Sequence, residues 1–171
     1  SNFYGMPVFV DGAIYVAGGG DIFWGKNEAW LKRLDLAWEG GALRVKEAWT
    51  FPLGRHVLST PAIKDGLVYI ADAMKEVHCL DAQTGAELWK HEAKGEFWSS
   101  PLVADGKLFI GSRKGDFMIL ATGREQRLLA TVELRDPIAA TAVAANGVLY
   151  VGTMRNLYAL SVAGKRPELT R

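Results

Sequence analysis

The sequence predicts an all-β chain, a β-propeller arc of about four four-stranded antiparallel blades with an incomplete last blade. Three observations carry this. An Asp-Gly or Asn-Gly pair recurs between short apolar runs, the recurrence has a period near forty residues, and glycine, tryptophan and β-branched residues abound where long helical patterns do not.

The turns are Asp11-Gly12, Asp65-Gly66, Asp105-Gly106 and Asn146-Gly147, each flanked by apolar strands such as Ala62-Ile63-Lys64 and Leu67-Val68-Tyr69-Ile70-Ala71. Such a pair predicts a type I′ hairpin, because both central residues need positive φ. The four glycines stand 54, 40 and 41 residues apart, and forty is the length of one propeller blade. A third strand follows, closed by Leu80, Leu120 and Leu160, thirteen or fourteen residues after the turn glycine. Leu34 takes that place in the first unit, 22 residues after Gly12, so residues 18–30 read as an enlarged loop between its second and third strands. Fourth strands are predicted over 46–51, 86–90 and 127–132.

The blades fall at about residues 6–52, 57–93, 97–133 and 138–162, with a tail over 163–171, so that 1–171 is a single propeller segment. Gly164, Pro167 and clustered charges make that tail a poor outer strand. About five residues precede the first hairpin strand, too few to supply the missing strand and its connection at about 3.3 Å per residue. The chain therefore reads as part of a longer propeller, or as four blades closing tightly.

Twenty Lys and Arg balance nineteen Asp and Glu, and the +1 net charge leaves no basic stripe for a phosphate backbone. No nucleic-acid partner is expected. The apolar runs are far shorter than the roughly 20 residues of a membrane-spanning helix, so no transmembrane segment is predicted. The single cysteine, Cys79, excludes a disulfide scaffold. No signal-peptide pattern precedes Phe3, and Ser1 reads as a processed or trimmed start.

One motif is specific. In Leu80-Asp81-Ala82-Gln83-Thr84-Gly85-Ala86-Glu87-Leu88-Trp89, Asp81 and Thr84 can bond the turn backbone, Gly85 can take a left-handed conformation, and Trp89 can lie against the neighbouring blade. This stretch resembles the tryptophan-docking motif of the pyrroloquinoline-quinone-like, or quinoprotein-type, β-propeller repeat family. The resemblance covers about residues 6–160. Unit one keeps Asp35 and Trp49 at a spacing of 14 instead of 8, unit three has Ala121-Thr122-Gly123 and Leu129, and unit four lacks the Trp.

The superfamily so implied holds quinone-dependent alcohol dehydrogenases and the lipoprotein scaffold of the outer-membrane β-barrel assembly machinery. For its enzymes the resemblance implies adjacent cysteines near the quinone, an acidic residue with calcium ligands, and often a Cys-x-x-Cys-His haem segment. The cysteine features are missing here. No catalytic residue, metal ligand or cofactor is assigned. The expected function is a non-enzymatic scaffold that binds protein or peptide in the bacterial cell envelope, in the periplasm or at the cell surface. The alternative is a segment of a quinone-dependent alcohol dehydrogenase, holding pyrroloquinoline quinone with calcium.

Candidate positions follow. Arg55, His56 and Trp98 lie in loops entering the second and third units and would surround a quinone under the alternative; otherwise they pack and hydrogen-bond between blades. Phe23, Trp24 and Trp30, in the enlarged loop, can anchor a protein partner or fold back on the blade edge. Asp136 is expected to cap the turn ahead of Pro137, and His78 to be a paired or solvated strand histidine. His56, His78 and His91 show no zinc-site spacing. Gly18-Gly19-Gly20-Asp21 lacks the Lys-Ser/Thr and helix of a phosphate loop.

Overall fold

The computed structural model describes residues 3–21 and 24–161. The first sheet holds β1 (Val8–Val10), β2 (Ala13–Asp21), β3 (Lys26–Glu39) and β4 (Ala42–Leu53). The second holds β5 (Ala62–Lys64), β6 (Leu67–Ala71), β7 (Glu76–Asp81) and β8 (Glu87–Glu92). The third holds β9 (Leu102–Ala104), β10 (Lys107–Gly111), β11 (Asp116–Ala121) and β12 (Leu128–Glu133). The fourth, among the described residues, has three strands: β13 (Val143–Ala145), β14 (Val148–Gly152) and β15 (Leu157–Ser161). Every neighbouring pair is antiparallel and in sequence order, which makes each sheet a meander.

Asp11, Asp65, Asp105 and Asn146 have φ of 48–51°, and the glycines that follow have 66–77°. Two consecutive left-handed residues give the twist that joins short strands without splaying them. They also set the register: Val10 pairs Ala13, Lys64 pairs Leu67, Ala104 pairs Lys107 and Ala145 pairs Val148.

The sheets stack face to face, and strand alternation splits each one between two cores. On the second sheet Val68, Ile70 and Leu80 face the first blade and meet Leu31 and Val57, all fully buried. Tyr69, Val77 and Cys79 face the other way and meet Phe97, Leu108 and Leu120, again fully buried. Each such side chain contributes about 1.5–3 kcal/mol by leaving water. A smaller core of Phe109, Phe117, Ile138, Ala142 and Val151 joins the third and fourth sheets. Hydroxyls link the first strands around the arc: Met6 N–H donates to Thr60 Oγ1 at 2.9 Å, Thr60 N–H to Ser100 Oγ at 2.9 Å, and Ser100 N–H to Thr141 Oγ1 at 3.1 Å.

The first blade corrects the sequence reading. The segment read there as an enlarged loop is not one: β2 runs on to Asp21 and β3 begins at Lys26, pairing Gly18 with Trp30 and Gly19 with Ala29. Packing explains the glycines: a Cβ on Gly18 would stand 2.9 Å from the Phe3 ring, and one on Gly20 would stand 2.5 Å from His56 Cα. The wider spacing of Asp35 and Trp49 arises separately. There β3 and β4 extend as a hairpin arm, Trp38 opposite Leu43 and Leu36 opposite Val45, turning at Gly40-Gly41 with φ of 59° and 77°.

Candidate functional site

Asp81 closes β7, and its Oδ1 accepts from Gln83 N–H, Thr84 N–H and Thr84 Oγ1 at 3.0–3.1 Å. Arg124 of the third blade reaches Asp81 Oδ2 at 2.9 Å. That guanidinium, followed by the Thr84 amide, holds the Asp81 carboxyl below the usual carboxylate range. Gly85 has φ of 72°, and the Trp49 indole of the first blade lies against it, 2.6 Å from where a Cβ would sit. Trp49 Nε1 donates to Ala82 O at 3.1 Å, and Arg33 reaches the same oxygen at 2.8 Å.

One blade on, Trp89 Nε1 donates to Gly123 O at 2.9 Å, while Gly123 N–H donates to the Tyr69 hydroxyl at 3.0 Å. Burial pushes the Tyr69 hydroxyl and the Cys79 thiol each up to about 12. Past the third blade the arrangement changes. Phe109 stands where Tyr69 stood, Ala130 pairs Ile119 where Trp89 paired Cys79, and a cleft of about 640 Å³ opens between Phe109, Ala104, Val148 and Leu160.

His56 is buried, and its Nδ1 has no hydrogen-bond partner. Burial, reinforced by Arg55, pushes its pKa below the ordinary imidazole value. Its backbone oxygen accepts from Ala73 N–H at 3.2 Å, and Gly20 packs on its Cα. Trp98 is partly exposed, with the Arg113 guanidinium 3.9 Å from its ring centroid, while Arg55 is half-buried.

Trp24 is 81% exposed at the tip of the β2–β3 hairpin, its N–H donating to Asp21 Oδ1. Phe23 lies outside the described residues. Trp30 does not belong to a protruding loop: it sits within β3, half-buried, with Phe3 edge-on at 5.6 Å and Lys32 Nζ over its ring at 5.2 Å. Asp136 does not cap the turn ahead of Pro137. Its Oδ2 accepts from Thr153 Oγ1 at 2.6 Å and Arg155 N–H at 2.9 Å, fixing the β14–β15 turn instead.

His78 is paired and also buried, its Nδ1 2.7 Å from Glu87 Oε1. Burial alone would push the imidazole down, but the Asp72 and Glu87 carboxylates outweigh it and hold His78 above its ordinary value. Asp72 and Glu76 complete a group that motif spacing did not single out. The available signal was Glu-x-His on a strand, whose period of two puts both side chains on one face.

Stacked four-stranded meanders, indole-to-turn bonds between successive blades and a forty-residue period define a β-propeller arc of quinoprotein-type repeats. The family described as outer membrane protein assembly factor BamB matches residues 27–166, and the chain belongs to that family. The BamB protein of Burkholderia pseudomallei is 32% identical over 116 residues, covering 66% of this chain and 29% of that protein. The quinoprotein alcohol dehydrogenase PedH of Pseudomonas putida is 32% identical over 65 residues, 36% of this chain and 11% of that one. The crystal structure of BamB from Moraxella catarrhalis superposes with a TM-score of 0.74 at 19% identity, covering 96% of this chain and 48% of that chain. The chain thus spans less than half the length of these relatives.

Proposed function

We propose that this chain is a non-enzymatic propeller scaffold that binds protein or peptide segments in the bacterial cell envelope, on the periplasmic or cell-surface side. The observation that carries the reading is the BamB-family match over residues 27–166. Its context is outer-membrane protein assembly, the role in the name of that family. A longer propeller, of which this arc is a part, agrees with the 48% share of the solved BamB chain. The scaffold works without a cofactor and without nucleic acid.

Trp24, which Phe23 precedes in the sequence, is the anchor offered to a partner, since an exposed indole on a hairpin tip supplies large contact area. Trp30 supports that hairpin from within the strand. Asp81, Thr84, Gly85 and Trp89 serve as the tryptophan-docking motif that fixes the blades. The quinoprotein alternative assigns Arg55, His56 and Trp98 to a quinone with calcium.

One pair of measurements separates the two. A photo-crosslinking residue at position 24, in the chain exported to the periplasm, is expected to capture outer-membrane proteins or their assembly machinery, while the same residue at the β9–β10 turn position 105 captures neither. Calorimetric titration with pyrroloquinoline quinone and calcium is expected to give no heat. Micromolar quinone binding lost on replacing His56 or Trp98 would overturn the scaffold reading.

A further inference from the structure

We propose that Asp72, Glu76 and His78 form a binding site for a divalent transition-metal ion of the zinc class, set in the second blade where it meets the first. The three side chains each offer one ligand atom, and these atoms lie within 4.8 Å of one another. Asp72 follows β6, Glu76 opens β7, and His78 lies two residues along the same face.

The imidazole is prepared for a metal. Nδ1 is held by Glu87 Oε1 at 2.7 Å, which places the ring proton there and leaves the Nε2 lone pair free. Nε2 is buried, its side chain 5% exposed, and has no hydrogen-bond partner. It faces Asp72 Oδ2 at 3.8 Å and Glu76 Oε2 at 3.7 Å. Those separations exceed a hydrogen bond, which closes by about 3.2 Å. A tetrahedral ion with bonds of about 2.1 Å holds its ligand atoms about 3.4 Å apart, so the two nitrogen–oxygen separations need to close by only a few tenths of an ångström, and the two carboxylate oxygens by at most about 1.4 Å through side-chain rotation.

The remaining oxygens already have tasks. Asp72 Oδ1 accepts from Met74 N–H at 2.9 Å and Glu76 N–H at 3.3 Å, and Glu76 Oε1 takes Lys90 Nζ at 2.6 Å. Gly54 N–H occupies one lone pair of Asp72 Oδ2 at 3.0 Å and leaves the other. Three carboxylates, those of Asp72, Glu76 and Glu87, converge on this imidazole with Lys90 as the one cation bonded to them, an excess of acidic groups that a divalent cation suits. Phe51 of the first blade, its ring 5.4 Å from His78, gives one apolar wall.

The repeat itself supplies a control. At the equivalent turn of the third blade stand Ser112, Asp116 and Met118, and Ser112 Oγ accepts from Asp116 N–H at 3.3 Å, as Asp72 Oδ1 does from Glu76. A hydroxyl is therefore enough to build this turn. The second carboxylate oxygen and the imidazole of the second blade are surplus to it, and a mixed nitrogen and oxygen donor set suits zinc better than calcium or magnesium.

The experiment uses the whole 171-residue chain, stripped with chelator and titrated with zinc chloride at neutral pH by calorimetry, with cobalt(II) absorption reporting the geometry. One equivalent is expected to bind at micromolar affinity or tighter, to give visible tetrahedral cobalt bands and to raise the thermal midpoint. Glu76→Gln and His78→Gln should each weaken zinc at least tenfold, while His91→Gln should leave it unchanged. If His78→Gln does not fold, Glu76→Gln decides alone. Millimolar binding, loss through His91→Gln instead, or calcium bound in preference to zinc would overturn the proposal. None of these outcomes bears on the scaffold reading.

Discussion

Trp89 Nε1 stands 2.9 Å from the carbonyl oxygen of Gly123 in the next blade, and Trp49 makes the same bond to Ala82, at 3.1 Å, one blade earlier. Each indole leaves its own outer strand to satisfy a turn carbonyl of its neighbour. Trp89→Phe, which keeps most of the ring and removes the donor, is expected to lower stability by about 1 kcal/mol. Trp89→Ala should cost about 3–5 kcal/mol, because it also empties the space between blades. Urea unfolding followed by far-ultraviolet circular dichroism measures both; equal losses would show that the hydrogen bond, and not the buried ring, dominates.

Gly85 and Gly106 share a positive φ, 72° and 66°, but a Cβ on Gly106 meets nothing within 4 Å, whereas one on Gly85 runs into the Trp49 ring. Gly106→Ala should therefore cost about 1 kcal/mol of backbone strain. Gly85→Ala should cost clearly more. Comparable thermal midpoints for the two variants would mean that Trp49 moves aside freely.

The pH dependence follows from His56. Burial, and next Arg55, put its folded pKa below the unfolded value of about 6.5. The unfolded chain then binds the extra proton first, so stability present above that value is lost as pH falls through the folded pKa. Replacing His56 by Gln removes this contribution. The midpoint difference between the native chain and His56→Gln should therefore shrink or reverse between about pH 7 and pH 5, and a constant difference would count against the argument.

Cys79 offers a probe of opening. A thiol pushed up to about 12 and fully buried carries almost no thiolate at pH 8. Iodoacetamide should leave the folded chain unlabelled over hours and modify it within minutes in denaturing urea. Rapid labelling without urea would place local opening of the second blade well below global unfolding.

Much of this was legible in the sequence because the repeat writes each blade in local chemistry. The pairs from Asp11-Gly12 to Asn146-Gly147 name their own turns, and alternation along Leu67–Ala71 assigns each side chain to a face. The longer interval from Gly12 to Leu34, 22 residues instead of thirteen or fourteen, reads equally directly as an inserted loop, and there the reading failed. Gly18 and Gly20 lie in a strand, for reasons that sit far along the chain: the Phe3 ring and the His56 backbone come too close for any side chain. Asp136 misled in the same way, since its partners Thr153 and Arg155 are brought in by the fold. Asp72, Glu76 and His78 lie within seven consecutive residues, but a turn and the start of β7 gather a single imidazole with two carboxylates, a pattern that a search for zinc spacing among the histidines does not match.

The hydroxyl bonds linking Met6 to Thr60, Thr60 to Ser100 and Ser100 to Thr141 span 54, 40 and 41 residues, the same intervals that separate the turn glycines. Thr60 and Ser100 each donate through the backbone to the successor unit and accept through the side chain from the predecessor. A tandem gene duplication of such a stretch would arrive with both halves of that handshake already encoded. Ring size in this architecture is therefore open to change one whole unit at a time, by copying and without redesign of any joint.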